Sequence, residues 1–315
     1  MDVTSNDVWM DGEIVAGSSA TTHVMTPSLH YGWGVYEGIR FYESRNPSLP
    51  GPLCFRLNEH LDRLGNSARA LGMSIRFDRA ELLQACAELA IRSGLRAGYL
   101  RPLVMLAPGA MSVAAQLEQT SVVIGCWEWS GYLPPAGDGI RVRTSGWVRN
   151  GPAQLPPSVK STGGYINPSL ARLEAVRSGD HEAILLNAAG RVAEASAANV
   201  FAVLDGVLVT PSLEEGILPG ITRDAVLRMA ADLGIATQQR PVAPAELRIA
   251  QEVFLAGTAM EVMSVTTLDG LPVGDGKVGE VFAAVRASFE DAIGGVLPGH
   301  QDWVTDLSAI GPAFA

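Results

Sequence analysis

An α/β protein built of α+β layers in two domains is what this sequence predicts, and three observations carry the expectation. The chain has 315 residues, enough for about two domains of roughly 100–200 residues each. Strand-length apolar runs and helix-periodic stretches occur in both halves, in runs rather than in regular alternation, and hairpin turns are frequent. The stretch "SGYLPPAGDG", residues 130–139, has Pro, Gly and no periodicity, and reads as a linker. The expected division is a small N-terminal domain over 1–129, a linker over 130–139 and a larger domain over 140–315.

The elements follow in order. "DVWMDGEIV" reads as two short strands around an Asp11-Gly12 turn, and "GVYEGIRFYES" as a further strand. In "LNEHLDRLGNSARALGM", Leu57, Leu61, Leu64, Ala68 and Leu71 recur at three- and four-residue steps, which predicts a helix. "DRAELLQACAELAIRSGL" is a second helix, with Asp78 as its N-cap and Gly94 near its end. "GYLRPLVMLAPG" and "TSVVIGCWEW" are apolar strands, and "IRVRTSGWVRN" opens the second domain as a strand of period two. "INPSLARLEAVRSGD" is a helix ending at Gly179, followed by the strands "EAILLN", "ANVFAVLDGVLVTP" (with a hairpin turn at Asp205-Gly206) and "EVFLAG". A helix from Thr222 to about Leu233, capped by Thr222 and closed by Gly234, and a last long helix in "DGKVGEVFAAVRASFEDAIGG" complete the pattern.

Composition excludes several classes. A net charge of −10 with no basic run argues against nucleic-acid partners and a polybasic membrane surface. No 18-residue apolar run and no signal-peptide pattern occur. Cys54, Cys86 and Cys126 form no CxxC, which points to reduced, buried thiols and a cytoplasmic setting. The spacing of Gly32, Gly34 and Gly38 is GxGxxxG, which does not match a dinucleotide fingerprint. The five histidines do not fall at metal-ligand spacing, so no metal is expected, and His30 and His60 read as structural.

Against this background one residue stands out. Of 23 basic residues only Lys160 and Lys277 are lysines. Lys277 lies in a Gly/Asp turn and reads as solvated. An arginine at 160 could hold an anion but could not lose a proton and condense with an aldehyde, as a desolvated lysine can. Other stretches supply compatible chemistry. "GILPGITRD" offers a helix N-terminus at Ile221 and Thr222, suited to an anion or merely capped. "AGTAMEV" offers Thr258 after a strand. Glu194 in "GRVAEASAANVF" is a carboxylate among small apolar residues, which must balance either a buried arginine or a cationic ring nitrogen.

The ordered set "HYGWGVYEGIRFY", "RLNEHLDRL", "YLRPLVM", "VKSTGGYINPSLARLEA", "RVAEASAANVFAV", "LPGITRDAV" and "VFLAGTAMEVMSV" resembles the class IV aminotransferases, and among them most resembles the branched-chain amino acid aminotransferases. The resemblance implies a two-domain, fold-type IV enzyme with pyridoxal 5'-phosphate at the domain interface, in a homodimer whose partner completes the substrate pocket. It makes Lys160 the catalytic Schiff-base lysine and places Glu194 at the pyridine nitrogen and Tyr165 at the ring hydroxyl. Arg63, Ile221, Thr222 and Thr258 would hold the phosphate. Tyr99 and Arg101 match the branched-chain pattern, in which the arginine helps admit glutamate's side-chain carboxylate. Tyr31, Tyr36, Arg40, Trp129, Tyr132 and Ala259 join them and Thr258 around the substrate. Two features depart from the usual pattern: Tyr36 stands where phenylalanine is common, and "PGAMSVAAQ", with Ser112, replaces a Met-Gly-Val-Asn-Pro-like run. The expected reaction is transamination between branched-chain L-amino acids and 2-oxoglutarate. The alternatives are an (R)-amine or D-amino-acid transaminase, or an aminodeoxychorismate lyase-like enzyme, on the same fold.

Overall fold

The computed structural model describes Thr4 and residues 6–109, 111–131 and 139–310. The chain divides into two compact units: Met1–Ser130 with Val159–Gly163 and Asp291–Ala315, and Gly131–Ser158 with Gly164–Glu290. Two segments of the first unit, one of them carrying Lys160, thus come from beyond residue 139.

In the first unit the strands are β1 (Val8–Met10), β2 (Glu13–Val15), β3 (Gly34–Tyr36), β4 (Ile39–Tyr42), β5 (Leu53–Phe55), β6 (Gly98–Leu106), β7 (Thr120–Trp127) and, near the C-terminus, β17 (Val304–Asp306). They form one antiparallel sheet in the order β17-β5-β4-β6-β7-β1-β2, with β3 also on β6. The Asp11-Gly12 turn is as expected, both residues at positive φ (53° and 108°), the primed geometry that matches strand twist. Helices α1 (Pro27–Tyr31), α2 (Leu57–Ala70) and α3 (Arg79–Arg92) complete the unit. α2 buries Leu57, Leu61, Leu64 and Ala68, the apolar stripe that the spacing predicts. Asp78 caps α3 in a full capping box with Glu81. Cys54, Cys86 and Cys126 are buried in this unit's core, where burial pushes their thiols up, Cys126 to about 11.

One expectation is corrected here. "GVYEGIRFYES" forms two strands, β3 and β4, because the pairing with β6 is interrupted at Glu37 and Gly38, although Glu37 N–H still donates to the Pro102 carbonyl (2.8 Å). The Glu37 side chain turns inward, and a Cβ on Gly38 would lie 1.8 Å from the Tyr99 hydroxyl. The chain can pass Tyr99 only where no side chain stands.

The second unit holds β8 (Ile140–Val148), β9 (Glu182–Leu186), β10 (Val192–Ala195), β11 (Asn199–Leu204), β12 (Val207–Thr210), β13 (Thr237–Gln239), β14 (Glu252–Gly257), β15 (Glu261–Leu268) and β16 (Leu271–Pro272). They build a mixed sheet in the order β10-β9-β8-β15-β14-β11-β12-β13, with β16 on β15. β8 runs parallel to both β9 and β15, and β12 runs parallel to β13. The Asp205-Gly206 hairpin forms with both residues at positive φ. α4 (Ile166–Arg177) lies on β8 and β9, and α5 (Ile221–Asp232) on β14 and β13. α6 (Pro244–Ile249) and α7 (Glu280–Ile293) follow. Phe201 and Phe254 stack at 5.1 Å within the core. The N-cap of α5 is Gly220, not Thr222: Thr222 is the second helical residue and is buried, so its hydroxyl makes no cap. Among the described residues no helix is long and apolar enough to cross a membrane.

Candidate active site

Lys160 sits in a short segment stitched to the edge of β3. Thr162 N–H donates to the Gly34 carbonyl (2.8 Å), Gly163 N–H to the Gly32 carbonyl (3.2 Å), and Val35 bridges Ser161. The Lys160 carbonyl accepts from Tyr36 N–H (3.0 Å), and its own N–H donates to the Ser67 hydroxyl of α2 (3.2 Å). The glycines of "KSTGGY" therefore serve a backbone approach: a Cβ on Gly32 would fall 2.9 Å from the Gly163 Cα. The Lys160 ammonium lies 5.0 Å from the Tyr36 ring centroid, and the Arg101 guanidinium 4.7 Å from the same centroid. Arg101 also stands over Tyr99 and Trp127, and donates to the Tyr99 hydroxyl (3.3 Å). Tyr99 packs against Trp129, with centroids 4.9 Å apart.

Arg63, on α2, is not the solvated charge that its neighbours Glu59 and Asp62 suggest. It is 12 % exposed and donates through Nε and Nη2 to both oxygens of Glu37 (2.7 and 2.9 Å). Glu37 is fully buried and also contacts His60 Nδ1 at 2.7 Å. Burial alone would raise the Glu37 carboxyl; the charges and hydrogen bonds of Arg63 and His60 outweigh it and hold the group well below the usual carboxylate range. For His60 burial wins, and the imidazole is pushed below its ordinary value despite Glu37. The Glu37 contact is thus made by an imidazole that burial disposes against taking a charge. Sequence reasoning missed Glu37 and took His60 as merely structural. A signal was present: His60, Arg63 and Ser67 recur at three- and four-residue steps along α2, a polar stripe next to the apolar one.

In the second unit Glu194 lies on β10, 8 % of its side chain exposed, and both of its oxygens are engaged. Arg149 Nε donates to one (2.8 Å), while Asn199 Nδ2 (3.2 Å) and Leu218 N–H (3.0 Å) donate to the other. Of the two balances open to Glu194, an arginine is present: the partly buried Arg149, 45 residues away in the chain. Asn199 also donates to the Leu218 carbonyl (3.0 Å), and its amide oxygen would meet a Cβ on Gly220 at 2.0 Å. Glu194 is in this way tied to the N-terminus of α5, where Ile221 and Thr222 are buried. Arg223, in the first turn, is turned back into the core onto the Pro211 carbonyl (3.0 Å) and Gln239 (2.9 Å). Thr258 and Ala259 form the turn between β14 and β15, and Tyr165 ends the short 3-10 turn before α4. Arg40 stands over the Tyr42 ring at 4.7 Å, and Tyr31 closes α1 with 44 % of its surface exposed. Ser112 accepts from Ala114 N–H (3.1 Å) in its own loop. Tyr132 lies outside the described residues.

The first unit thus carries a lysine amine and a carboxylate-braced arginine, and the second a buried carboxylate tied to Leu218 just before α5. The sequence profile of the family described as amino-transferase class IV matches residues 34–268, from the start of β3 to the end of β15, and the chain belongs to that family. Within it, the chain is similar to branched-chain-amino-acid aminotransferases over nearly its whole length. The branched-chain-amino-acid aminotransferase of Pseudomonas aeruginosa is 37 % identical over 300 residues, covering 95 % of this chain and 96 % of that protein. The Escherichia coli enzyme of the same name is 35 % identical over 304 residues, covering 96 % and 97 %. The crystal structure of the T.th. branched-chain amino acid aminotransferase complexed with N-(5'-phosphopyridoxyl)-L-glutamate superposes with a TM-score of 0.92 at 39 % identity, covering 97 % of this chain and 100 % of that one.

Proposed function

We propose that this chain is a pyridoxal-phosphate-dependent aminotransferase that moves the amino group of branched-chain L-amino acids to 2-oxoglutarate. The observation that carries the reading is the pair of cations on one ring: the Lys160 amine and the Arg101 guanidinium both stand over Tyr36. One can accept and return a proton; the other is a fixed fork for a carboxylate, set among aromatic side chains that suit an apolar substituent.

The residues present fit the cofactor. Its phosphate calls for a preset guanidinium and bare helix amides. Arg63 is held along one edge by both oxygens of Glu37, and Gly220 leaves the first turn of α5 without a side-chain cap. Lys160 would hold the cofactor through its amine, Arg63, Ile221, Thr222 and Thr258 its phosphate, Tyr165 its ring oxygen and Glu194 its ring nitrogen. When bound, pyridoxal phosphate supplies an aldehyde that takes up the amino group and a ring that takes up the electrons released at the substrate Cα. Lys160 then takes the Cα proton as base and delivers it again as acid. Glu194, braced by Arg149 (2.8 Å), would face the ring nitrogen and favour its protonated form. Tyr99 and Arg101 would admit the side-chain carboxylate of glutamate, Tyr31, Tyr36 and Trp129 would wall the pocket for the branched side chain, and Arg40, Thr258 and Ala259 would also meet the substrate. Two substrates share these groups in turn, in ping-pong order.

The same reading includes a homodimer, supported by the exposed apolar side chains Val24, Leu29 and Tyr31 at and before α1 (70, 63 and 44 % exposed). It includes a cytoplasmic setting, which three free, buried thiols suit. It also includes a linker over 130–139, the stretch in which the first unit gives way to the second. The test is chemical: borohydride should fix the cofactor on a peptide containing Lys160, and Lys160→Arg should lose both the label and turnover. A labelled Lys277 peptide, or full turnover in Lys160→Arg, would overturn the assignment.

A further inference from the structure

Glu37 and His60 carry no step of the mechanism above, yet with Arg63 they form a buried cluster of three ionisable groups in the first unit. Glu37 is fully buried, and His60 is 1 % exposed. A carboxylate is tolerated there only because every strong contact is paired and hydrogen-bonded. The break between β3 and β4 falls at this point, where the pairing with β6 is interrupted and the Gly38 N–H turns toward the Glu37 carboxylate (3.3 Å). The geometry of the contact is specific. Arg63 meets Glu37 edge-on through Nε and Nη2, at 2.7 and 2.9 Å, which sets the plane of the guanidinium and not only its charge. His60, one turn earlier on α2, fixes the carboxylate in turn at 2.7 Å. The next turn of the helix carries Ser67, which accepts the backbone N–H of Lys160. One helical stripe therefore orients both the arginine and the lysine.

We propose that Glu37 is a positioning residue for cofactor capture. It presets the Arg63 guanidinium so that the cofactor phosphate meets an arginine already in its bound orientation, and His60 locks Glu37 in place. The inference rests on the pyridoxal phosphate reading above, and it separates from a purely structural role through the phosphate itself. Loss of Glu37 should weaken binding of pyridoxal phosphate and leave binding of pyridoxal, which has no phosphate, unchanged.

The experiment is absorbance titration of the full-length apoprotein, wild type and Glu37→Gln, with pyridoxal phosphate and with pyridoxal. The wild type should prefer the phosphorylated form strongly. In Glu37→Gln that preference should shrink by about tenfold or more, the scale of one charge-assisted hydrogen bond, with pyridoxal affinity unchanged. An undiminished preference, or an equal loss for both ligands, overturns the proposal. Should Glu37→Gln fail to fold, Glu37→Asp carries the same comparison, because its shorter side chain keeps the charge but cannot reach both nitrogens in register. A wild-type apoprotein that takes up neither ligand sinks the cofactor reading itself, and this inference with it.

Discussion

At His60 burial removes the water that would solvate a charge and pushes the imidazole below its ordinary value; the Glu37 carboxylate opposes this, while Arg63 and Lys160 act with it. The sign of the consequence is fixed. An imidazole whose folded value lies below its unfolded value of about 6.5 stabilises the fold fully above that pH, and the contribution is lost as pH falls. The melting temperature of the wild type should therefore drop more between about pH 7.5 and 5.5 than that of His60→Gln; parallel pH profiles would show that His60 does not bind its proton this reluctantly. At this scale the sequence was legible where chemistry alone marks a residue. Lys160 is conspicuous in a chain otherwise basic through arginine, and Glu194 is conspicuous among alanines. Their partners were not legible. Glu37 lies 26 residues from Arg63, and Arg149 lies 45 from Glu194; nothing local links two residues that meet only after the sheets close.

The elements were read best where one period runs long enough to be counted. α2 and α3 show their apolar stripes and the Asp78 cap, and the Asp11-Gly12 and Asp205-Gly206 turns adopt the positive φ that their residues permit. Short elements such as α1, β13 and β17 have too few residues for a period, and β17 finds its place only by pairing with β5. The gap between β3 and β4 is the informative miss. It was hidden inside an apolar run because its cause, the Tyr99 ring, comes from β6. A methyl group on residue 38 must push Tyr99 aside, and the Tyr99 hydroxyl is what Arg101 donates to. Gly38→Ala should raise the KM for 2-oxoglutarate by about tenfold, the size of one lost charge-assisted contact, and change the KM for leucine far less. Steady-state kinetics with both substrates read this directly. An equal rise for both would place the effect of Gly38 elsewhere than on Arg101.

At the scale of the whole molecule, the two units divide the chemistry. The first carries the amine, the braced arginine and the aromatic cage of Arg101; the second carries Glu194 and the α5 N-terminus to which Asn199 binds it. The chain does not reach this division by one cut. It returns to the first unit at Val159–Gly163, and this return seats Lys160 on β3 and α2. The class IV profile spans most of the chain, and the likeness to branched-chain enzymes covers nearly all of it. Transamination of branched-chain L-amino acids is the activity this chain is built for. Its most direct test is the half-reaction of the pyridoxal phosphate-loaded protein, followed by cofactor absorbance, with L-leucine and with D-alanine in parallel. L-leucine should carry the cofactor from its aldehyde to its amine form, 2-oxoglutarate should restore it, and D-alanine should leave it unchanged; conversion by D-alanine and not by L-leucine would contradict the account.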